Sequence, residues 1–383
     1  MKFYFEKYKI NVRLNLYIVN GEENMQIRKI PIHYARANMT IAENIYDSMG
    51  LLLVTEDTAL TPRIIIKLKL HGVNQIGVYD YRKEIDTFVD EQMTYLDRVR
   101  QTKTFKSFQV DFSKSVDEFR KDINEVVTNN KEIDIPKLTH ELDRLLAQNV
   151  TGSSMFEMLQ CMREYDDLTY VHSLNVGLIC HVIGGWLNFS KEDNYLLSLC
   201  GLLHDVGKLC IPKKLITKPG KLTAEEFTTV KAHAYRGYEI LKKQNIDERI
   251  KLAALMHHEK CDGTGYPDGL KSEQIIDFAK IVAVADVYDA MTANRVYRAG
   301  LCPFDVIELF ESDGLQKFDP KFLLPFLERT SESYINHDVY LSNGQKARVI
   351  MINKAALSKP VVQVSQQFID LSQRPGLHIR AIL

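Results

Sequence analysis

No stretch of this 383-residue chain approaches the length of a membrane-spanning helix, which needs about 18 or more consecutive apolar residues. Met1 to Lys9 interleave charges with apolar side chains, so the apolar core of a secretory signal is also missing. An excess of charge of either sign is lacking. The formal net charge is -1, which argues against bulk binding of nucleic acid, since that needs a basic face. Any anionic ligand must therefore be met by local positive charge. The six cysteines (Cys161, Cys180, Cys200, Cys210, Cys261, Cys302) form no CxxC pair. Reduced thiols in a cytoplasmic protein are the simplest reading. Internal repeats and low-complexity tracts are absent. What remains, 45% hydrophobic and 26% charged residues, is the composition of an ordinary soluble globular protein of two or three domains.

The pattern along the chain predicts a multidomain, mainly α protein. Residues 1–85 read as a small α/β module, with residues 1–24 as an extension ahead of Met25. Leu51 to Val54 is a strand after the turn Asp47-Ser48-Met49-Gly50, and Thr61-Pro62 opens a helix as N-cap and first helical proline. That helix stops near His71-Gly72, and Val73 to Tyr79 is β-prone. Residues 86–152 form a helical connector, interrupted around Asn129-Asn130-Lys131 and at Pro136, whose amphipathic helices read as solvated. Gly152-Ser153 is a hinge into an all-helical domain over 153–334. Its helices span Met155 to Tyr165, Tyr170 to Leu187, Lys191 to Leu203, a segment from Thr223 to about Lys243, Asp247 to His258 and Ile276 to Asn294. Thr223-Ala224-Glu225-Glu226 is a capping box, preceded by a turn at Pro219-Gly220. Residues 335–383 are a short β appendage with a hairpin turn at Ser342-Asn343-Gly344.

The chain is organised around Leu203-His204-Asp205-Val206-Gly207-Lys208, a His-Asp pair closing the apolar run Tyr195 to Leu203. Alone, such a dipeptide is usually solvated surface. The partners it would need are present: six of eleven histidines fall between 172 and 258. In order come His172, His204-Asp205, His233, His257-His258 and Asp286. Imidazoles with a few carboxylates suit borderline divalent ions. Seven such ligands exceed the needs of one open catalytic ion and suit two ions sharing a bridging carboxylate. Adjacent residues on a helix point about 100° apart, which would let the His-Asp and His-His pairs reach one site. His181 lies nine residues after His172 and faces the other side of its helix. His33, His71, His140, His337 and His378 have no motif around them and read as packing or surface.

After His257-His258 comes Glu259-Lys260-Cys261-Asp262-Gly263-Thr264-Gly265-Tyr266-Pro267. With it the chain resembles the HD-GYP family, the branch of HD-superfamily phosphohydrolases associated with cyclic di-GMP turnover. The resemblance covers roughly 153–330. It rests on His172-Ser173, His204-Asp205-Val206-Gly207-Lys208, Ile211-Pro212, Lys218-Pro219-Gly220, His233, His257-His258-Glu259, Asp262 to Pro267 and Ala285-Asp286-Val287-Tyr288-Asp289-Ala290. It implies an all-helical HD-type phosphohydrolase domain that hydrolyses cyclic di-GMP to pGpG, and on to GMP if both bonds are cut, by a metal-bridging hydroxide.

Two divalent ions about 3.5–4 Å apart can clamp a phosphate for in-line attack. The expected cofactors are two ions per chain, Fe or Mn first, with Zn, Co and Ni as alternatives. His172, His204, Asp205 and Asp286 would hold one ion, and Asp205, His233, His257 and His258 the other, with Asp205 the bridge. Lys208 would offset transition-state charge on the phosphate. Gly265, Tyr266, Pro267, Arg295 and Arg298 are implied substrate contacts, and Tyr266 is expected to stack on or border a guanine, or to dock a partner protein. The implied partners are a cyclic dinucleotide substrate, a second copy of the chain in a homodimer, and a GGDEF-type protein at the Gly-Tyr-Pro loop. One departure is Leu168. Some members carry a glutamate there, four residues before the first histidine, as a ligand to a third metal. Leucine cannot bind metal, so two metals are expected and hydrolysis to GMP is placed in doubt. Two alternatives stay open: a receptor that binds cyclic di-GMP without cleaving it, and a phosphohydrolase acting on another cyclic dinucleotide.

Overall fold

The computed structural model describes residues 26–32, 35, 39–46, 52–61, 64–65, 67–68, 71, 73, 75–80, 95–147, 152–162, 168–218, 222–293 and 301–383. Residues 1–24, His33, the turn at 47–50, Pro62, Gly72, the turn at Pro219-Gly220, Arg295 and Arg298 lie outside that set. The chain divides into two compact units, residues 1–93 with 296–299 and residues 94–295 with 300–383.

The first unit holds two antiparallel strand pairs. β1 (Gln26–Pro31) lies against β4 (Gln75–Asp80) with Ile30 opposite Ile76, and β2 (Ile45–Tyr46) against β3 (Leu52–Val54). The β-branched and leucine side chains of these strands and of the segments between them form a small core of their own around Ile30, Ile41, Leu53, Leu60, Leu68, Ile76 and Val78. The Thr61 hydroxyl accepts from the Ile64 backbone N–H at 3.2 Å, the cap expected of that residue. His71 is exposed.

The second unit is helical until residue 334. Its longer helices are α1 (Tyr95–Gln101), α2 (Lys103–Asn129), α3 (Ile135–Leu146), α4 (Gly152–Cys161), α5 (Leu168–Trp186), α6 (Lys191–Leu203), α7 (Ala224–Lys242), α8 (Glu248–Met256), α9 (Asp277–Thr292), α10 (Pro303–Leu309) and α11 (Pro320–Glu332). Local signals account for several boundaries. Thr102 caps α2, the Thr223–Glu226 capping box opens α7, and Asn130, in the left-handed conformation at φ 53°, closes α2. Pro136 sits in the first turn of α3, where its missing N–H costs nothing. Gly152 and Ser153, expected as a hinge, are instead the first residues of α4; the N–H groups of a first turn have no helical partner, so that position imposes little on the residue chosen.

The connector is not solvated on both sides. Phe105, Phe108, Phe112, Val116, Phe119, Ile123 and Val126 recur at helical spacing along α2, and all are buried in the same core as α4 to α9. A stripe of four phenylalanines carries more apolar area than a solvated helix would leave in water. At the far end, β5 (Asp338–Leu341), β6 (Lys346–Met351), β7 (Val361–Val364), β8 (Gln367–Asp370) and β9 (Ile379–Ile382) form one antiparallel sheet ordered β8-β7-β6-β5-β9. Val339, Leu341, Val349, Val362 and Ile379 turn inward and join the helical core. The expected β appendage is therefore present and packed. Among the described residues no helix is long and apolar enough to cross a membrane.

Candidate metal centre

Three helices and two helix ends converge on one buried cluster. His172 lies within α5, His233 within α7 and Asp286 within α9. The two dipeptides arrive differently from the expectation of neighbours on one helix. His204 is the C-cap of α6, and Asp205 leads into a 3-10 turn over Val206–Cys210; His257 is the C-cap of α8, and His258 follows it. Ending the helix between or beside the paired residues turns the backbone, and both side chains then reach the same space.

Asp205 is at the centre. Its Oδ1 lies 3.3 Å from His233 Nε2 and 3.7 Å from His257 Nε2, while its Oδ2 lies 3.3 Å from His204 Nε2 and 3.6 Å from His172 Nε2. One carboxylate thus faces two sets of imidazoles, one with each oxygen. Asp286 Oδ1 lies 3.0 Å from His172 Nε2, and its Oδ2 lies 3.7 Å from His258 Nδ1. The ligand atoms form two groups, Asp205 with His233, His257 and His258, and His172 with His204 and Asp286; within each, all lie within 4.8 Å of one another.

Backbone carbonyls orient three of the rings. Nδ1–H of His204 donates to Gly201 at 2.6 Å, that of His233 to Val230 at 2.6 Å, and that of His257 to Ala254 at 3.0 Å. A carbonyl only accepts, so each of these nitrogens carries the proton and each Nε2 presents a lone pair inward. Burial lowers the pKa of His233 to about 4 and also depresses His257, which keeps both rings neutral. Their two Nε2 atoms nevertheless face each other at 3.4 Å, lone pair to lone pair. Nε2 of His204 and Oδ1 of Asp205 are buried without a hydrogen-bond partner. Buried acceptors left in this way are costly, and a cation in each of the two groups would satisfy all four. The donor set fits a divalent metal, nitrogen-rich with two carboxylates.

Burial alone would favour protonated carboxyls at Asp205 and Asp286, but the charges and hydrogen bonds around them outweigh it. The Lys208 ammonium holds Asp205 well below the usual range, and the charged His172 ring does so for Asp286. Burial opposes charge on His172, yet its bonds to Asp286 and Asp289 push it up to about 9. Lys208 ion-pairs with Asp205 Oδ2 and remains partly exposed.

Of the other expected contacts, Gly265 is a packing residue in this structure. A Cβ there would come within 2.4 Å of Glu259 Cα and the Lys260 nitrogen, so only glycine lets the loop fold back onto the His257-His258 turn. Tyr266 N–H then donates to the His258 carbonyl at 3.2 Å, and its ring lies 4.7 Å from that of His258. Pro267 is exposed. His181 bonds Ser198 Oγ at 3.0 Å, apart from the cluster.

Three supporting residues were given no role from sequence. Asp289 accepts from Nδ1–H of His172 at 2.7 Å and from Asn175 at 3.0 Å. Asp286 and Asp289 are three apart on α9, as are His172 and Asn175 on α5, and that shared spacing is the signal that could have paired them. Glu259 accepts from the backbone N–H groups of Asp268, Gly269 and Leu270 at 2.7, 3.2 and 2.9 Å, clamping the loop that carries Tyr266.

Residues 150–322 match the sequence profile of the HD domain. The chain is 31% identical over 253 residues to cyclic di-GMP phosphodiesterase PA4108 of Pseudomonas aeruginosa, covering 63% of this chain and 61% of that protein. It is 39% identical over 145 residues to the cyclic di-GMP phosphodiesterase response regulator RpfG of Xanthomonas campestris pv. campestris, covering 37% and 38%. To the 3'3'-cGAMP-specific phosphodiesterase 3 of Vibrio cholerae it is 36% identical over 150 residues, covering 39% and 33%. In each case the match spans less than two-thirds of the relative's own length.

Proposed function

Residues 150–322 are an HD domain, and from that premise we propose that the chain is a metal-dependent phosphodiesterase that hydrolyses cyclic di-GMP to pGpG. The observation that carries this reading is the division of the Asp205 carboxylate between two groups of buried imidazoles, His233 and His257 at one oxygen and His204 and His172 at the other. Such an arrangement suits two ions bridged by one carboxylate. His172, His204, Asp205 and Asp286 would hold one ion, and Asp205, His233, His257 and His258 the other, with Fe or Mn as the metals. Bound there, divalent ions supply Lewis acidity toward a phosphate and lower the pKa of water.

The protein's own groups do the rest. Asp289 and the carbonyls of Gly201, Val230 and Ala254 fix ring orientation and tautomer, so that the donor atoms need no rearrangement when charge develops. Lys208 keeps an ammonium at the edge of Asp205, where it can meet a non-bridging phosphate oxygen. Glu259 holds the Gly-Tyr-Pro loop closed over His258, bringing the Tyr266 ring to the border of the site. Leu168 leaves no carboxylate at the position of a third ligand set, which favours pGpG over GMP as the end product.

The relatives named for cyclic di-GMP support that substrate, and the one named for 3'3'-cGAMP makes a hybrid cyclic dinucleotide the second reading. Anaerobic purification, metal quantification and incubation with cyclic di-GMP test the proposal. About two metals per chain with pGpG appearing on chromatography is the expected result. Two metals with bound, uncleaved dinucleotide would indicate a receptor, the wrong metal or the wrong substrate, and a chain that retains no metal would remove the basis of the reading.

A further inference from the structure

Beside the metal cluster, α7 and the Gly-Tyr-Pro loop build a second feature. Phe227 lies six residues before His233 on α7 and is 45% exposed, a large apolar ring that no core explains. Its ring stands edge-on to that of Tyr266, 6.3 Å between centroids. Lys231, one helical turn further along, holds its ammonium over both rings, 4.9 Å from Phe227 and 5.4 Å from Tyr266. Among the described residues no carboxylate pairs with this ammonium. Tyr266 in turn borders His258 at 4.7 Å and His233 at 6.4 Å. The order outward from the cluster is therefore imidazoles, Tyr266, Lys231 and Phe227.

We propose that Phe227 and Lys231 form the base-reading element of this site, with a guanine stacked on the open Phe227 ring and its O6 and N7 edge facing the Lys231 ammonium. The inference rests on the phosphodiesterase reading and deepens it. A nucleotide whose phosphate sits at the imidazole cluster carries its base one sugar away, and the Tyr266 and Phe227 rings are aromatic faces beside that cluster. Aromatic side chains hold any base by its π-face and so give affinity without choice. Choice comes from the edge. Guanine offers two acceptors, O6 and N7, to a cation, whereas adenine places an amino group where O6 would be. An unpaired ammonium resting on aromatic faces keeps its donors available, because the rings stabilise its charge without taking up its hydrogen bonds.

The test measures kcat and KM of the metal-loaded full chain for cyclic di-GMP and cyclic di-AMP, in the wild type, Lys231→Met, Lys231→Arg and Phe227→Ala. The wild type is expected to prefer the guanine substrate. Lys231→Met should lower the guanine-to-adenine ratio of kcat/KM about ten- to hundredfold, through KM for the guanine substrate, and Lys231→Arg should restore most of it. Phe227→Ala should raise KM for both substrates by a similar factor and leave the ratio where it was. A ratio unmoved by Lys231→Met, or a loss carried by kcat equally for both substrates, overturns the base-reading role while the phosphodiesterase stands. A wild-type chain that cleaves neither dinucleotide overturns both.

Discussion

The Asp289 carboxylate accepts a 2.7 Å hydrogen bond from Nδ1–H of His172, and so fixes which nitrogen of that ring faces the cluster. With Nδ1 committed, only Nε2 is left to meet Asp286 at 3.0 Å and Asp205 at 3.6 Å. Outer partners of this kind raise ligand basicity and hold ring orientation, and their loss costs about 10- to 100-fold in metal affinity. Asp289→Ala is expected to lose metal to a competing chelator at concentrations about that much lower than the wild type does. Asp289→Asn, which keeps the shape but removes the charge, should fall between. Wild-type retention by the alanine variant would show that His172 needs no orienting partner.

Asp205 and Lys208 are in direct contact yet are expected to fail differently. Asp205→Ala removes the one carboxylate that faces both imidazole groups, so metal content and turnover should vanish together. Lys208→Ala leaves all seven candidate ligands in place. Metal content should stay near the wild-type value, while kcat falls about 100- to 1,000-fold, the usual cost of one transition-state charge partner. Element analysis and steady-state kinetics on the same preparations separate the two. Full activity in Asp205→Ala would end the two-metal account.

The candidate ligands were legible from sequence because each is carried by a residue type with few bland uses in an apolar helix, and because the string from His172 to Asp286 occurs in one order. Their geometry was less so. The His-Asp and His-His pairs gain their reach from helix ends at Leu203 and Met256, and a helix terminus is the least certain part of any periodicity. Asp289 was hidden among motif residues, since nothing local says that its partner lies 117 residues away. The α2 connector misled for a similar reason: its charges are visible locally, whereas the core that covers its phenylalanines comes from distant helices.

At position 207 the turn after Asp205 has no room for a side chain. A Cβ there would lie 2.0 Å from the His233 carbonyl oxygen and 2.5 Å from the Gly237 nitrogen, both backbone atoms of α7. Neither can yield without moving the helix that carries His233. Gly207→Ala is expected to destabilise the chain by at least the roughly 1–3 kcal/mol typical of overpacking, and to lower metal content because His233 and Asp205 are pushed apart. A thermal melt and element analysis check both. A variant with wild-type Tm and metal content would mean that α7 can slide.

Glu141 supplies a prediction remote from the cluster. It is buried on α3, one of its carboxylate oxygens has no hydrogen-bond partner, and Lys137 Nζ, 3.9 Å away, is drawn more closely to Asp122. Burial raises its pKa from 4.5 to about 7, helped by Glu118 and Asp122 on α2 and opposed by Lys137 and Arg144 on its own helix. The folded chain therefore binds the proton more tightly than the unfolded one. Stability falls as pH climbs from about 4.5 to about 7, and the full penalty, on the order of 3 kcal/mol from the size of the shift, persists above that window. Glu141→Gln keeps the shape of the protonated acid and removes the titration. Its Tm should match the wild type near pH 4.5 and exceed it at pH 8. Subtracting the two melting curves at each pH cancels every other titrating group in the chain, so a difference that does not widen with pH would mean that the carboxylate is already relieved by solvent or by Lys137.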